Sequence, residues 1–409
     1  MADVLLNQSV ILSEALRVLH QKSHFIKTIS RQYDKSFANS GATLQGKVGP
    51  NLQIRLPVKF TTRSGANVSL QDVQEYAKTL TVSTLIGVDW DFDDVDLTLT
   101  IDDFSKRYLV PAMAQLAATL ESTTLNLYKY VWNQTGTAGT TPATSLAYLN
   151  AGAKLDENLA EEDGRIALIN PAATAATVAG LQTLFHASAQ IEKQYITGQM
   201  GDACGFKFFK STLIPRHTVG AHGGTPLTNG GSQGITTGWQ ETYPLITDGW
   251  TVSTAVLNEG DVFTVANCFS VHPESKVSTG NLQQFVVRAN GTSSAGGALT
   301  VTISPCPISA GAYQNVSALI ADGAAIVVAG TASSTYSINL AYVESAFTVV
   351  TADLMVPKGM DMSERQEFEG ISMRFVRGYQ ISTNQRICRF DLLSGSLAMR
   401  PELACRIMG

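Results

Sequence analysis

Three stretches of the chain carry residue types at spacings that could do chemistry, and each is set in a context that argues against it. Gly230, Gly231, Ser232, Gln233 and Gly234 match the GxSxG pattern, in which a serine nucleophile sits on a sharp turn between an apolar strand and a helix. No apolar strand leads into Gly230 and no helical pattern leaves Gly234, so the expectation is a flexible loop. Asp89, Asp91, Asp93 and Asp94 resemble the start of a calcium loop, but such a loop needs glycine at its sixth position and glutamate at its twelfth. Asp94 and Thr100 stand there instead, and the alternation of the acids with Val88, Trp90 and Phe92 assigns them to the wet face of a strand. His20 and His24, four apart on a helical pattern, could share a metal, yet no third ligand lies near them; His186, His217, His222 and His272 are dispersed.

The nucleotide-binding patterns GxxxxGK[ST] and GxGxxG are missing. The five cysteines, Cys204, Cys268, Cys306, Cys388 and Cys405, form no CxxC pair, which leaves neither a zinc site nor a disulfide framework. The reading is of a chain with no catalytic residue, no cofactor and no metal. The amino-terminal sequence lacks a signal-peptide pattern, and no run approaches the roughly 18 apolar residues of a membrane span.

Elements follow from periodicity. Leu12, Leu16 and Leu19 recur at helical spacing, giving an amphipathic first helix read as an arm. From Asn51 the period becomes two: Leu52, Ile54, Leu56, Val58 and Phe60 form one apolar row, with Pro57 demoting the strand to an edge. A second alternating run covers Leu80, Val82, Thr84, Ile86, Val88, Trp90 and Phe92, so the pair reads as a long two-stranded arm whose apolar rows need a partner surface. At Val95 to Ile101 the alternation changes phase, suggesting a bulge. A long helix then begins near Asp102 or Asp103, with Pro111 early in it and Met113, Leu116, Leu120, Leu127 and Val131 as its stripe as far as Trp132.

An α/β pattern comes next: a helix around Leu146 to Leu155, a strand Arg165 to Ile169, a helix capped by Asn170 with Pro171 at its first position, and a strand at Phe206 to Phe209. His217 to Trp239 reads as a Gly/Thr-rich loop, followed by short strands at Val262 to Val265, Phe285 to Arg288, Leu299 to Ile303 and Ile326 to Val328. Residues 221–338 hold six acids and two bases, with turn signals at Asn258, Gly280, Gly296 and Gly323, and are expected to form an inserted barrel or sandwich. The tail returns to strands at Phe347 to Val350, Ile371 to Val376 and Cys388 to Leu393.

Charge is unevenly placed although the net is only −5. Residues 1–63 carry nine Lys/Arg against three Asp/Glu, and residues 64–162 carry fourteen acids against five bases. Blocks of opposite sign suit subunits that recognise one another. Arg55, Lys59 and Arg63 are the candidate basic contacts, with Asp89, Asp91, Glu161 and Glu162 as candidate acidic partners on a neighbour.

Several segments together resemble one family: EALRVLHQKSHFI, SRQYDKSFA, FSKRYLVPAMAQLA, DGRIALINPAATAA, EKQYITGQMG, GDVFTVANCFSVHPESKVSTGNLQQFVV, AFTVVTADLMVPKGMDMSERQEFEGISMRFVRGYQI and RPELACRI. They resemble the gene-five coat proteins of short-tailed bacteriophages of the Salmonella podovirus type, which have the Hong Kong 97 capsid fold. The resemblance spans most of positions 5 to 407 and implies an α+β fold. Its expected parts are an amino-terminal arm (1–40), an extended β-hairpin loop (41–88), a peripheral domain with a spine helix (89–135), an axial domain (136–220), an inserted β-rich domain (221–338) and return strands (339–409).

The resemblance further implies self-assembly into the pentamers and hexamers of an icosahedral shell. A separate scaffolding protein, a portal protein and a decoration protein are the implied partners, the last with no sequence signal of its own. Double-stranded DNA would be packaged without sequence-specific contact, the basic amino-terminal region alone being able to neutralise phosphates. The implied place is the virion, assembled in the host cytoplasm. Two other classes compete: a carbohydrate-binding or adhesive module built on the insertion, and a serine hydrolase using Ser232.

Overall fold

The computed structural model describes residues 8–31, 51–63, 65–66, 68, 70–71, 73, 75–93, 108–181, 201–360, 362–380 and 385–409. The expected phase change at Val95 to Ile101, the helix entry at Asp102 or Asp103, and His186 lie outside the described residues. The chain divides into two compact units, one formed by residues 1–54, 78–125 and 347–397, the other by 55–77, 126–346 and 398–409.

In the first unit, the helix Gln8–Lys22 buries Leu12, Leu16 and Leu19 completely or nearly so, as their spacing requires. It packs on the helix Val110–Leu125 and on the strand Met362–Phe368. The first helix is therefore docked by its apolar stripe rather than carried as a free arm. Met113, Leu116 and Leu120 are buried on Val110–Leu125. The α-helix ends earlier than the periodicity suggests: at Leu125 it tightens into the 3-10 turn Asn126–Tyr130, and the stretch Val110–Leu125 is about 24 Å long at ~1.5 Å per residue. A five-stranded sheet runs Phe347–Ala352, Gln385–Ala398, Ile371–Gln380 and Met362–Phe368, with Thr84–Asp93 also paired to Gln385–Ala398. Phe375 and Phe390 meet at its core with ring centroids 4.8 Å apart, and Trp90 stacks on Phe390 at 5.3 Å.

The expected long two-stranded arm is corrected here. Only Asn51–Arg55 and Ala77–Thr81 pair, because Pro57 cannot donate to a ladder; one further bond, from Leu56 N to Tyr76 O, extends the pairing. The second alternating run is two strands, not one. Its later part, Thr84–Asp93, pairs over ten residues with the tail strand, Gly87 opposite Asp391 and Val88 opposite Phe390. At Gly87 a Cβ would meet Phe390 O at 2.7 Å, so the strands can approach only with glycine there.

In the second unit a mixed sheet takes its middle from Thr335–Tyr342, flanked antiparallel by Ala404–Met408 and by Ile166–Ile169, which in turn lies parallel to Phe206–Lys210. The helices Ser145–Glu157 and Pro171–Leu181 belong to this unit. The cap at Asn170 is as its sequence demands: its Oδ1 accepts from Ala173 N at 2.6 Å, while its own N–H donates to the buried Asn339 Oδ1 at 2.8 Å.

Residues 224–328 supply a six-stranded sheet ordered Ile326–Val328, Val262–Val271, Ser278–Val287, Leu299–Ser304, Tyr243–Trp250 and Gly224–Thr228. Leu227 bridges Ala325 and Thr228 N donates to Ala324 O, bringing the end strands together into a nearly closed barrel. Phe263, Phe285, Val301, Ile303 and Leu245 fill it. The stretch expected to be loop from His217 to Trp239 holds two strands, Arg216–Thr218 and Gly224–Thr228. Among the strands not expected from the sequence are Tyr243–Trp250, whose alternation is broken by Pro244 and an Asp-Gly pair, Thr335–Tyr342 and Ala404–Met408.

Candidate functional site

The stretches with apparent chemistry resolve first. Ser232 is exposed, at φ 58°, on a turn followed by no helix. The turn is pinned rather than flexible. Buried Gln233 accepts from Ile246 N at 2.7 Å through Oε1 and donates from Nε2 to Ile246 O at 2.9 Å. Asp89 and Asp91 lie on Thr84–Asp93 opposite Arg389 and Ile387. Asp89 Oδ1 is 3.7 Å from Arg389 Nε, and Asp91 accepts from Gln385 Nε2 at 2.8 Å. His20 Nε2 lies 2.5 Å from Glu369 Oε2, and burial lowers its pKa against the pull of that carboxylate. Among the described residues no three His, Cys, Asp or Glu side chains converge as a metal site, and no helix is long and apolar enough to cross a membrane. No disulfide joins the cysteines of the described residues, and burial drives the thiols of Cys268 and Cys405 to about 12.

The basic candidates fall in the second unit. Arg55 pairs with Glu75 at 3.0 Å, both well exposed. Lys59 lies past the end of the ladder, so it does not share a strand face with Arg55; its Nζ sits 5.9 Å above the Tyr313 ring. Arg63 donates to Gly65 O. Glu161 and Glu162 are exposed in the turn before Ile166–Ile169, where the Glu161 carbonyl accepts from Arg165 Nε at 2.7 Å. The structure thus places Arg55, Lys59, Arg63, Glu161 and Glu162 in one unit and Asp89 and Asp91 in the other.

Sequence reasoning missed a dense charged cluster that is buried where the insertion joins the mixed sheet. Asp261, fully buried, accepts from His217 Nε2 at 2.7 Å, Asn258 N at 2.7 Å and Gly220 N at 3.0 Å. His217 Nδ1 meets the Tyr128 hydroxyl at 3.1 Å. Arg406, from the last strand, donates Nη1 to Gly260 O at 2.6 Å and lies 5.3 Å from the Tyr128 ring. Burial lowers its pKa to about 10, with Tyr128 and Asp261 holding it up. Lys129 and Glu259 pair at 3.0 Å beside the cluster. Gln284 doubles the attachment, its amide exchanging hydrogen bonds with Gln134 N and O at 2.8 and 2.9 Å. His217 and Asp261 are 44 residues apart and so form no local motif.

The described part thus combines a docked first helix with an inserted barrel hydrogen-bonded to a mixed sheet, and the family of the chain gives these parts their class, that of shell-forming coat proteins. Residues 9–409 match the family model "P22 coat protein - gene protein 5", and the chain belongs to that family. It is a major capsid protein, a component of the virion that self-assembles into the shell. No curated protein matches it. Among solved structures it is similar to a chain of Mycobacterium phage Che8, at 10% identity and TM-score 0.49, covering 94% of this chain and 90% of that one. It is also similar to the capsid of Ralstonia phage GP4, at 8% identity and TM-score 0.43, covering 94% and 90%. The CUS-3 coat protein I-domain aligns at 28% identity and TM-score 0.20, over 26% of this chain and 96% of that domain.

Proposed function

We propose that the subunit closes into pentamers and hexamers of an icosahedral shell of Hong Kong 97 type, guided by a separate scaffolding protein and a portal, and that it carries no catalytic chemistry. The observation that carries this is the family match running unbroken from residue 9 to 409, through both compact units and the insertion. The six segments expected from the sequence, 1–40, 41–88, 89–135, 136–220, 221–338 and 339–409, are the proposed working parts. The shell is filled with double-stranded DNA after assembly in the host cytoplasm, and a decoration protein is an optional outer partner.

The adhesive alternative draws little support from the large cleft of the second unit, where several lining amides are already engaged. Asn133 Nδ2 donates to Glu402 O and Ala404 O, and Asn315 Nδ2 donates to Cys306 O. Negative-stain microscopy of the expressed chain, with and without the product of the neighbouring gene, tests the proposal. Closed shells of uniform size in the presence of that product are expected. A monomeric or irregularly aggregated chain under both conditions overturns it.

A further inference from the structure

Within the second unit a cleft of about 880 Å³ is lined by Lys59, Lys276, Tyr313, Trp239, Gln240 and Glu274, among others. Lys276 closes the turn between the strands Val262–Val271 and Ser278–Val287. Its backbone is held in the left-handed region, φ 57°, by a bond from its N–H to His272 O at 3.0 Å. Its side chain is equally fixed. Nζ donates to Ala312 O at 2.8 Å and to Gln314 O at 3.3 Å, the two carbonyls that flank Tyr313. Lys59, from another segment, lines the same cleft, its Nζ 5.9 Å from the centroid of the Tyr313 ring.

An amine anchored by two carbonyls has two of its hydrogens committed. The third tetrahedral position carries either the extra proton of an ammonium or, once that proton is lost, the nitrogen lone pair. Two things act against the proton: burial, and the charge of Lys59 nearby. The other charged or titratable groups in the surroundings are Glu274 and His272 on the same turn, the Tyr313 hydroxyl, Arg400 and Glu402 near Lys59, and Lys154 and Glu157, which pair with each other at 2.6 Å. Arg400 and Glu402 pair with each other at 3.4 Å, and His272 Nδ1 is occupied by the N–H groups of Glu274 and Ser275. The two anchoring carbonyls favour the ammonium, yet the balance lies against it: the pKa of Lys276 is lowered to about 8, burial being the larger cause and the charge of Lys59 the smaller.

We propose that Lys276 is a nucleophilic amine and the preferred site of acyl modification on this subunit, accepting acyl groups from activated donors of the thioester or acyl-phosphate class. In that step the neutral Nζ lone pair attacks the acyl carbon and an N–C bond forms. The bond from that carbon to the sulfur or phosphate oxygen breaks, and the leaving group departs with the bonding electrons. Nζ gives up one proton to solvent, leaving an uncharged amide. The anchoring carbonyls hold Nζ in place for attack, and the cleft supplies room for the donor. The product no longer opposes the charge of Lys59, so acylation removes the repulsion that the site contains.

The test is competitive trace acetylation of the full-length subunit with N-acetylsulfosuccinimide ester across pH 6 to 10, each lysine's rate being read by peptide mass spectrometry. Lys276 should react at least about tenfold faster than exposed Lys207 at neutral pH, since an ordinary lysine with a pKa near ~10.4 is almost wholly protonated there. Its rate should level off with a midpoint about 8. In K59M, a change at an exposed position, the midpoint should move upward while the melting temperature stays put. A Lys276 rate no higher than that of Lys207, or a midpoint indifferent to K59M in a folded variant, overturns the proposal.

Discussion

The extended loop and the junction of the insertion both depend on charge, and they use it oppositely. At the junction, Asp261 is fully buried and accepts from three donors on two segments, His217 and Gly220 on one and Asn258 on the other, so its charge fixes one arrangement of the chain. On the loop, Arg55 and Glu75 are 77% and 54% exposed and meet at 3.0 Å. A pair of that kind is worth only about 0 to 1 kcal/mol and gives way readily to another partner. The difference separates charge that specifies the fold from charge that remains available to a neighbouring subunit.

Breaking the junction should have the largest effect. Asp261→Ala leaves His217 Nε2, Gly220 N and Asn258 N without their acceptor in a buried site, a loss on the order of 3 to 5 kcal/mol. Denaturant unfolding of the unassembled subunit measures it. Arg406→Met should cost less, because Nε and Nη2 of Arg406 have no hydrogen-bond partner to lose. Equal costs for the two variants would mean that Asp261 and Arg406 act as one ion pair rather than as a saturated acceptor and a packed cation. Next in size is Leu120→Ala on the spine helix, expected to cost about 2 to 5 kcal/mol at a side chain only 1% exposed. An unchanged melting temperature would remove that stripe from the core.

A smaller effect concerns pH. Lys276 has a folded pKa of about 8 against 10.5 for the free side chain, so between these values the unfolded chain binds more protons than the folded one. The penalty for burying the ammonium is fully present below pH 8 and is relieved as pH rises through that window. The parent should therefore gain stability relative to Lys276→Met between pH 7.5 and 9.5. A difference between the two that stays flat with pH would place the Lys276 pKa outside the window.

What was legible in the sequence is what local spacing encodes. Leu12, Leu16 and Leu19, the Asn170 and Pro171 cap, and the strands at Ile166–Ile169 and Ile326–Val328 are where periodicity and capping chemistry put them. The misreadings share one cause, which is partner choice. Alternation at Leu80 to Phe92 shows strand conformation but not that its second half pairs with Gln385–Ala398, about 300 residues away. The Gly/Thr-rich run hid Gly224–Thr228 because that strand is held by Tyr243–Trp250 and the Ala324 carbonyl rather than by its own propensity. His217 looked dispersed for the same reason: its partners, Tyr128 and Asp261, come from 89 and 44 residues away. The charge blocks, by contrast, could be read directly, since a charge needs no partner to be counted.

The smallest energy per site carries the loop's side of the comparison. Reversing Arg55 and Lys59 to Glu disturbs one exposed pair and one ring contact, so the subunit should stay folded within about 1 kcal/mol. If these charges meet acids such as Asp89, Asp91, Glu161 or Glu162 on a neighbour, each contact recurs throughout the shell, and the concentration needed for assembly should rise, most clearly at low salt. Arg55 already has Glu75 beside it, which makes a second variant decisive. Exchanging the two, Arg55→Glu with Glu75→Arg, restores the internal pair while leaving the loop's net charge unchanged. If assembly then returns to the parental threshold, the internal pair alone matters and the loop is merely being held in shape. If the threshold stays high until the acidic candidates are reversed as well, the position of the positive charge is being read by another subunit. Light scattering against salt concentration separates the two, and identical assembly of parent and double reversal at every salt level would remove Arg55 and Lys59 from the interface altogether.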